Sequence, residues 1–487
     1  MFLALPLVVD AANALKAHPS PYLALHGEDP VEWRDWGDAA MTEARRLNRP
    51  LFISSGYFAC HWCHVMQQES FRNPQIADLL NTHFLPVKLD RELSPAIDDH
   101  LIRFVERTRG QAGWPLNVFL TPDGYPIAGV TYLPPENFRE VLERVAAGWQ
   151  QQAARLSELA RNAAEEAARG DTVGDPKPLP EADVVASGVV AGAFAIADEL
   201  GGGFGQQNKF PMEPQLLVLL DLQESRPDGR LDGFLRTTLT AMASRGLRDH
   251  LAGGFFRYTV DPDWRTPHFE KMLYNQALLA RVYLRAADVL DEPLFADVAR
   301  DTLDFVLNNM AGTDGGFIAS LSAVDQQGRE GGAYLWDEAA LSDTLGQGEY
   351  QLARAYWSLE EDVSPDQGLL PQRLRSPAEA ARMAGLSEKA VEQLVPQIRR
   401  KMLDARARRL PPRDPKELTA WNGLLLWALA DAVALSPDSR YVEAAREVAG
   451  FVRTMWNGGG LFRARDGSRV IGEASLEDSA YVAAGLL

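Results

Sequence analysis

Two cysteines occur in the whole chain, and they stand three positions apart as Cys60-His61-Trp62-Cys63, followed at once by His64. Three chemistries use such a pair. A dithiol at a helix N-terminus exchanges disulfides: unpaired backbone N–H groups and the helix dipole stabilise the first thiolate, and the second cysteine, one turn on, resolves the mixed disulfide. C-x-x-C-H is also a haem-attachment sequence, but that use needs an exported chain and an axial partner, and neither is evident. A structural zinc site wants four ligands, and the chain has no second C-x-x-C. Disulfide exchange is the favoured reading, with Cys60 attacking and Cys63 resolving. Cys60 is expected to be the more exposed sulfur and more acidic than a free thiol. The reading calls for no cofactor and no metal.

The elements around the pair suit that chemistry. Leu51 to Ser55 is a short apolar run fit for a buried strand, and Val65 to Phe71 follows the pair as a helix. Phe84 to Leu89 and Asn117 to Leu120 read as further strands, and Ala128 to Tyr132 as a hairpin partner across the Asp123-Gly124 turn. Helices are expected at Ile97 to Arg107 and Phe138 to Trp149, giving an α/β order of the thioredoxin-like kind. Pro115 precedes a strand where such folds hold a cis-proline facing the cysteines. Trp62 and Trp114 are placed to flank the sulfurs and His64 to support them, whereas Trp33 and Trp36 read as core. Asp90-Arg91-Glu92 reads as a solvated turn, with proton handling by Asp90 as the alternative.

Beyond residue 150 the composition changes. Gln, Ala, Arg and Glu dominate to Arg169, and Gly170 to Pro180 breaks regular structure, so 151–180 reads as a helix and linker between residues 1–150 and a helical body at 181–487. In that body Leu273, Ala277, Ala280, Leu284 and Ala287 follow the amphipathic helix period, as do Leu235, Leu239, Met242 and Gly246. A phrase recurs between helices: Gly202-Gly203-Phe204, Gly253-Gly254-Phe255, Gly315-Gly316-Phe317 and Gly459-Gly460-Leu461. A returning helix pair with a Gly-Gly-aromatic turn indicates an array rather than ordinary helix-capping glycines, which need only one Gly each, interrupted by an insertion around Gly331-Gly332 and Ser376 to Gly385.

The 487 residues carry 49 basic and 67 acidic side chains, a net charge of −18, which argues against nucleic acid as a partner. No segment is long enough for a membrane span, and Met1 to Val9 is apolar but lacks the basic residues of a signal peptide. The expected location is cytoplasmic, and the expected partner is a protein disulfide client or a thioredoxin-type reductase.

Ser20-Pro-Tyr-Leu, His26, Pro30-Val-Glu-Trp33, Cys60 to Met66, Glu69-Ser-Phe71, Lys88 to Glu92, Gly113 to Pro122 and Thr131 to Pro135 together resemble the spermatogenesis-associated protein 20 family. The resemblance continues through Gly202 to Gly205, Lys209-Phe-Pro211, Pro267 to Tyr274, Thr419 to Gly423 and Leu476-Glu-Asp478. It implies a thioredoxin-like domain followed by an all-α (α/α)6 toroid similar to six-hairpin glycosidases and N-acylglucosamine 2-epimerases. On that resemblance His268, Glu270, Tyr274, Asp325, Trp421, Asn422, Glu477 and Asp478 are expected to line a central pocket, with carboxylates or histidines as acid and base and aromatic rings for stacking. The chain departs from the family where Phe256 replaces a histidine, where Tyr-Asp-Asn becomes Tyr274-Asn275-Gln276, and where Asp-Ala-Asp-Ser-Glu-Gly becomes Ala323 to Gly328. Nine or ten helices are expected after residue 181, leaving the toroid open at the end of the chain. Two functions follow: a thiol–disulfide oxidoreductase whose helical body holds a client, or a carbohydrate-active isomerase, hydrolase or sugar binder with a regulatory or structural thioredoxin domain.

Overall fold

The computed structural model describes residues 13–170, 180–360, 362–364, 368–435 and 437–487. The apolar N-terminal run and the segment joining the two halves lie outside them. The chain divides into two compact units, Met1–Lys177 and Pro178–Leu487.

The first unit runs α1 (Pro21–Leu25), α2 (Asp38–Leu47), β1 (Leu51–Gly56), α3 (His61–Met66), α4 (Pro74–His83), β2 (Leu85–Asp90), α5 (Pro95–Arg109), β3 (Leu116–Leu120), β4 (Pro126–Val130) and α6 (Pro135–Gly170). One sheet carries it, in the order β2-β1-β3-β4, with β1 parallel to β2 and antiparallel to β3. Every residue of β1, β2 and β3 is buried, which is why the strands read as near-continuous apolar runs rather than alternating ones. Ile53, Val87, Leu101, Val105 and Val118 form the core against α5. Asn73 accepts the Gln75 and Ile76 N–H groups and Pro74 follows it, a start signal that fixes where α4 begins. The two helical stretches expected around Trp149 are one element, α6, with a break at Gln152.

The second unit has helices α7 (Ala182–Ile196), α8 (Glu213–Ser225), α9 (Gly229–Ser244), α10 (Leu273–Val289), α11 (Pro293–Asn309), α12 (Glu338–Thr344), α13 (Gln347–Tyr356), α14 (Pro377–Ala384), α15 (Glu388–Arg406), α16 (Thr419–Leu435), α17 (Ser439–Thr454) and α18 (Leu476–Leu486). That makes twelve among the described residues, not nine or ten. The surplus lies in α12–α15, a lobe with its own core of Leu341, Leu352, Trp357, Val391, Ile398 and Met402. The unit is also not purely helical. Short strands β5 (Tyr258–Thr259), β6 (Pro267–His268), β7 (Lys271–Met272), β8 (Ser320–Leu321), β9 (Asp362–Ser364), β10 (Gly368–Leu369), β11 (Arg413–Asp414), β12 (Glu417–Leu418), β13 (Phe462–Asp466) and β14 (Arg469–Glu473) connect the helices.

Helices α8, α10, α16 and α18 pack side by side in that order, while α9, α11 and α17 back α8, α10 and α16. This is a toroid-like array of helix pairs. The α16 sequence is apolar almost all round, as a helix enclosed by α10, α17 and α18 must be. Each Gly-Gly phrase forms the same joint. The backbone makes an isolated bridge, Ala197 to Phe204, Arg248 to Phe255, Ala311 to Phe317 and Trp456 to Leu461, as the chain turns from one helix pair toward the next. Gly254 has φ 70°, and a Cβ there would collide with the Phe305 ring and the Gln276 amide. The repeat in the sequence is thus a repeat of structure.

No helix among the described residues is long and apolar enough to cross a membrane.

Candidate active site

Strand β1 delivers the chain through Tyr57, Phe58 and Ala59 to Cys60, which caps α3: its Sγ accepts the Cys63 N–H at 3.1 Å. Cys60 and Cys63 are joined as a disulfide with Cα atoms 5.3 Å apart. Both are enclosed, at 2 % and 1 % exposure, so Cys60 does not stand out as the expectation had it. The exposed group is Trp62, at 37 %, whose ring lies 4.8 Å from that of Tyr132. The Tyr132 hydroxyl donates to Glu69 at 2.6 Å, and that carboxylate pushes the phenol up to about 12. His64 makes a 2.8 Å hydrogen bond from Nε2 to the Phe58 carbonyl, and burial holds its pKa below the ordinary histidine value. Trp114–Pro115 is cis, and the pairing of Ser55 with Leu116 sets Pro115 at the end of β1 from which the cysteine loop departs. Trp114 donates from Nε1 to Asp98 at 3.0 Å and lies under the Arg91 guanidinium at 3.9 Å.

Asp90-Arg91-Glu92 is not a solvated turn. Asp90 and Glu92 are buried, and Asp90 accepts the Ser20 hydroxyl at 2.6 Å. The region holds further polar groups to which composition and spacing assigned no role. Lys88 on β2 is completely buried; its Nζ donates to Ser54, its register partner on β1, at 2.9 Å, and it lies over the rings of Tyr22, Trp33 and Phe71. Burial pushes the amine down to about 7. Asp29 is shared by His26 at 2.6 Å, Gln67 at 2.9 Å and Trp33 at 3.1 Å. The signal for these residues in the sequence was a charged residue inside an apolar strand run, Leu85-Pro-Val-Lys88-Leu.

In the helical unit, four of the eight expected pocket residues gather. Arg257 donates to the Tyr274 hydroxyl at 3.1 Å and reaches Glu270 at 3.4 Å. Tyr274 meets Trp421 with ring centroids 4.9 Å apart. His268 contacts Glu330 through Nδ1 and packs tilted against Tyr258 with ring centroids 5.0 Å apart, and Tyr258 stacks on Phe210 at 4.5 Å. Asn275 adds a group the motif reading did not assign: Nδ2 donates to Glu213 at 2.7 Å, while its buried Oδ1 has no partner among the described residues. Burial raises the Glu213 carboxyl above its ordinary value. Phe256, where the resemblance led to the expectation of an imidazole, packs edge-on against both Phe269 and Tyr334 in an apolar cluster.

The other four sit in structural networks. Asn422 clasps the third Gly-Gly turn: Oδ1 accepts the Phe317 N–H at 2.8 Å, and Nδ2 donates to the Phe317 carbonyl at 3.0 Å. Gln276 clasps Phe255 in the same two-way fashion at 2.8 and 2.7 Å. Asp325 closes its own turn onto the Gln327 and Arg329 N–H groups and the Arg329 side chain. Asp478 caps α18, accepts the Ala420 N–H at 3.0 Å and, with Glu477, holds the buried Arg463. Polar residues at helix starts are engaged by the backbone they terminate, and these have little freedom to face a ligand.

Residues 12–168 match the family Thioredox_DsbH, described as a protein of unknown function, DUF255. Spermatogenesis-associated protein 20 of Homo sapiens is 36 % identical over 479 residues, which cover 91 % of this chain and 61 % of that protein. The chain therefore spans about three-fifths of the length of that relative. Among solved structures, a sugar epimerase from a ruminal bacterium matches 60 % of this chain and 94 % of its own at 12 % identity and a TM-score of 0.26. A DsbH oxidoreductase matches 24 % and 85 % at 15 % identity and a TM-score of 0.20. Over nine-tenths of its length, across the cysteine unit and the array of helix pairs alike, the chain is similar to spermatogenesis-associated protein 20.

Proposed function

We propose that the chain is a thiol–disulfide oxidoreductase acting through Cys60 and Cys63. The observation that carries the reading is the disulfide closed across the start of α3, with Cys60 Sγ already accepting a backbone N–H. The same donor would stabilise a Cys60 thiolate once the bond opens. Trp62 and Tyr132 give the site an exposed aromatic face against which a client segment would lie. The test equilibrates the full chain with glutathione buffers, followed by alkylation and mass analysis. Reversible interconversion of the pair is expected, with Cys60→Ser unable to exchange. A disulfide in the native chain that dithiothreitol cannot open would end the proposal.

A second reading belongs to the helical unit: a neutral, hydroxyl-rich ligand, a sugar, held among Tyr274, Trp421, Glu270 and Asn275. The unpartnered, buried Asn275 Oδ1 beside the buried Glu213 carboxyl supports it, because an open acceptor next to a carboxyl suits the hydroxyl groups of a sugar ring. Titration calorimetry with mono- and disaccharides tests it. Binding that Trp421→Ala abolishes is expected, and a panel with no heat of binding would refute the reading.

A further inference from the structure

Lys88 is a cation in an unusual place. It is buried on β2 with a serine hydroxyl and three aromatic rings for company, and no carboxylate lies within ion-pairing distance among the described residues. The titratable groups that face it are Tyr22 from α1, His26 and Asp29 from the loop after it, and His64 from α3. Asp29 is the anion among them, and its oxygens are engaged by His26, Gln67 and Trp33. An ammonium left this way is costly unless a charge arises nearby.

Such a charge would arise at Cys63. A Cβ added to Gly56 would collide with both the Tyr22 hydroxyl and Cys63 Sγ, so those two groups converge on the one bare position at the end of β1. Tyr22 therefore touches both partners of the argument, its hydroxyl sharing that position with the sulfur and its ring lying 5.3 Å from the Lys88 ammonium. The ring belongs to a helix that precedes the sheet, held by Ser20, whose hydroxyl caps α1 and donates to Asp90.

We infer that Tyr22 and Lys88 are positioning residues for the Cys63 thiolate released when the Cys60–Cys63 bond is opened. This rests on the redox reading above. A client thiolate attacks Cys60 Sγ, and a sulfur–sulfur bond to the client forms. The Cys60–Cys63 bond breaks, and its electron pair goes to Cys63 Sγ. The client supplies the electrons: a second client thiolate releases Cys60, and the client leaves as a disulfide. The Tyr22 hydroxyl donates to the new anion, and the Lys88 ammonium becomes its counter-charge. Because burial already pushes the Lys88 amine down to about 7, the thiolate draws a proton onto it, so opening the bond takes up a proton in the neutral range.

The test measures the equilibrium of the full chain with glutathione from pH 6 to 9 for the parent, Lys88→Met, Lys88→Arg and Tyr22→Phe. Lys88→Met is expected to shift the constant about tenfold toward the disulfide and to remove an inflection near neutrality. Lys88→Arg should keep most of the parent constant but lose the inflection, because guanidinium does not titrate there. Tyr22→Phe, which removes one hydroxyl, should shift the constant the same way by a smaller factor and serves where Lys88→Met does not fold. A parent that never equilibrates defeats the redox reading and this inference with it. An exchanging parent whose constant and pH profile all three variants reproduce defeats this inference alone.

Discussion

Replacing Asn422 by alanine separates a pocket residue from a structural clasp. Asn422 is completely buried and makes three hydrogen bonds, two to Phe317 and one to the Leu418 carbonyl. The Leu418 carbonyl keeps its place in the α16 ladder, but the Phe317 N–H and C=O would lose the side chain that satisfies them. Each buried backbone group left unpaired costs about 1–3 kcal/mol, so the substitution is expected to destabilise the chain by about 4 kcal/mol. That is a large part of the roughly 5–15 kcal/mol that holds a domain together. Urea unfolding of the full chain, followed by helical circular dichroism, reads the loss as a lowered midpoint. Gln276→Ala, which empties the matching clasp at Phe255, should cost a similar amount, and Cys60–Cys63 exchange should survive both changes. An Asn422→Ala midpoint within about 1 kcal/mol of the parent, or lost ligand binding at unchanged stability, would refute the clasp.

In alkylation across a pH series, the thiol left in Cys63→Ser should titrate below the ~8.5 of free cysteine, and the thiol left in Cys60→Ser should react more slowly; the reverse order would exchange their roles. Asp249→Asn should destabilise the helical unit by about 3–5 kcal/mol in urea, since it leaves Arg406 and Lys271, which bind that carboxylate at 2.6 and 2.7 Å, buried with the charge between them gone. Burial pushes His26 down to about 3 in the folded chain, against about 6.5 when unfolded. The unfolded chain therefore binds the extra proton between those values. The histidine's contribution is complete above about pH 6.5 and drains by about 1.4 kcal/mol per unit as the pH falls toward 3. Acid unfolding of His26→Gln should show a shallower slope in that window, and an unchanged slope would place the acid sensitivity elsewhere.

The cysteine domain was legible because its signals are local. The buried strands announce themselves as apolar runs, and the C-x-x-C spacing carries its chemistry with it, whereas α4 went unread although Asn73-Pro74 is a helix-start signal. The recurring Gly-Gly phrase was legible for the same reason: each copy is one turn, made from adjacent residues, and each proves to be one joint. The α12–α15 lobe was harder to count because three of its four helices are ten residues or shorter, too short for the helical period to build up.

The site residues divide along a different line. A motif records that a polar residue matters at a position but not whether it faces a ligand or its own backbone. Trp421 and Asn422 are neighbours on α16, yet the helix turns the first toward Tyr274 and the second toward the Phe317 turn. About 100° of rotation separates them, and the difference in role follows from that angle. Gln276 shows how the distinction could have been drawn from the chain alone. Gly-Gly-Phe255 and Gly-Gly-Phe317 are each followed by an amide residue near the start of the next inner helix, Gln276 and Asn422. A side chain that recurs with a structural repeat is more economically explained by the joint than by a pocket, since a single ligand has no need of the same contact twice. The residues that do converge, His268, Glu270, Tyr274 and Trp421 with Arg257 and Asn275, show no such recurrence, and they are where recognition by the helical unit should be sought.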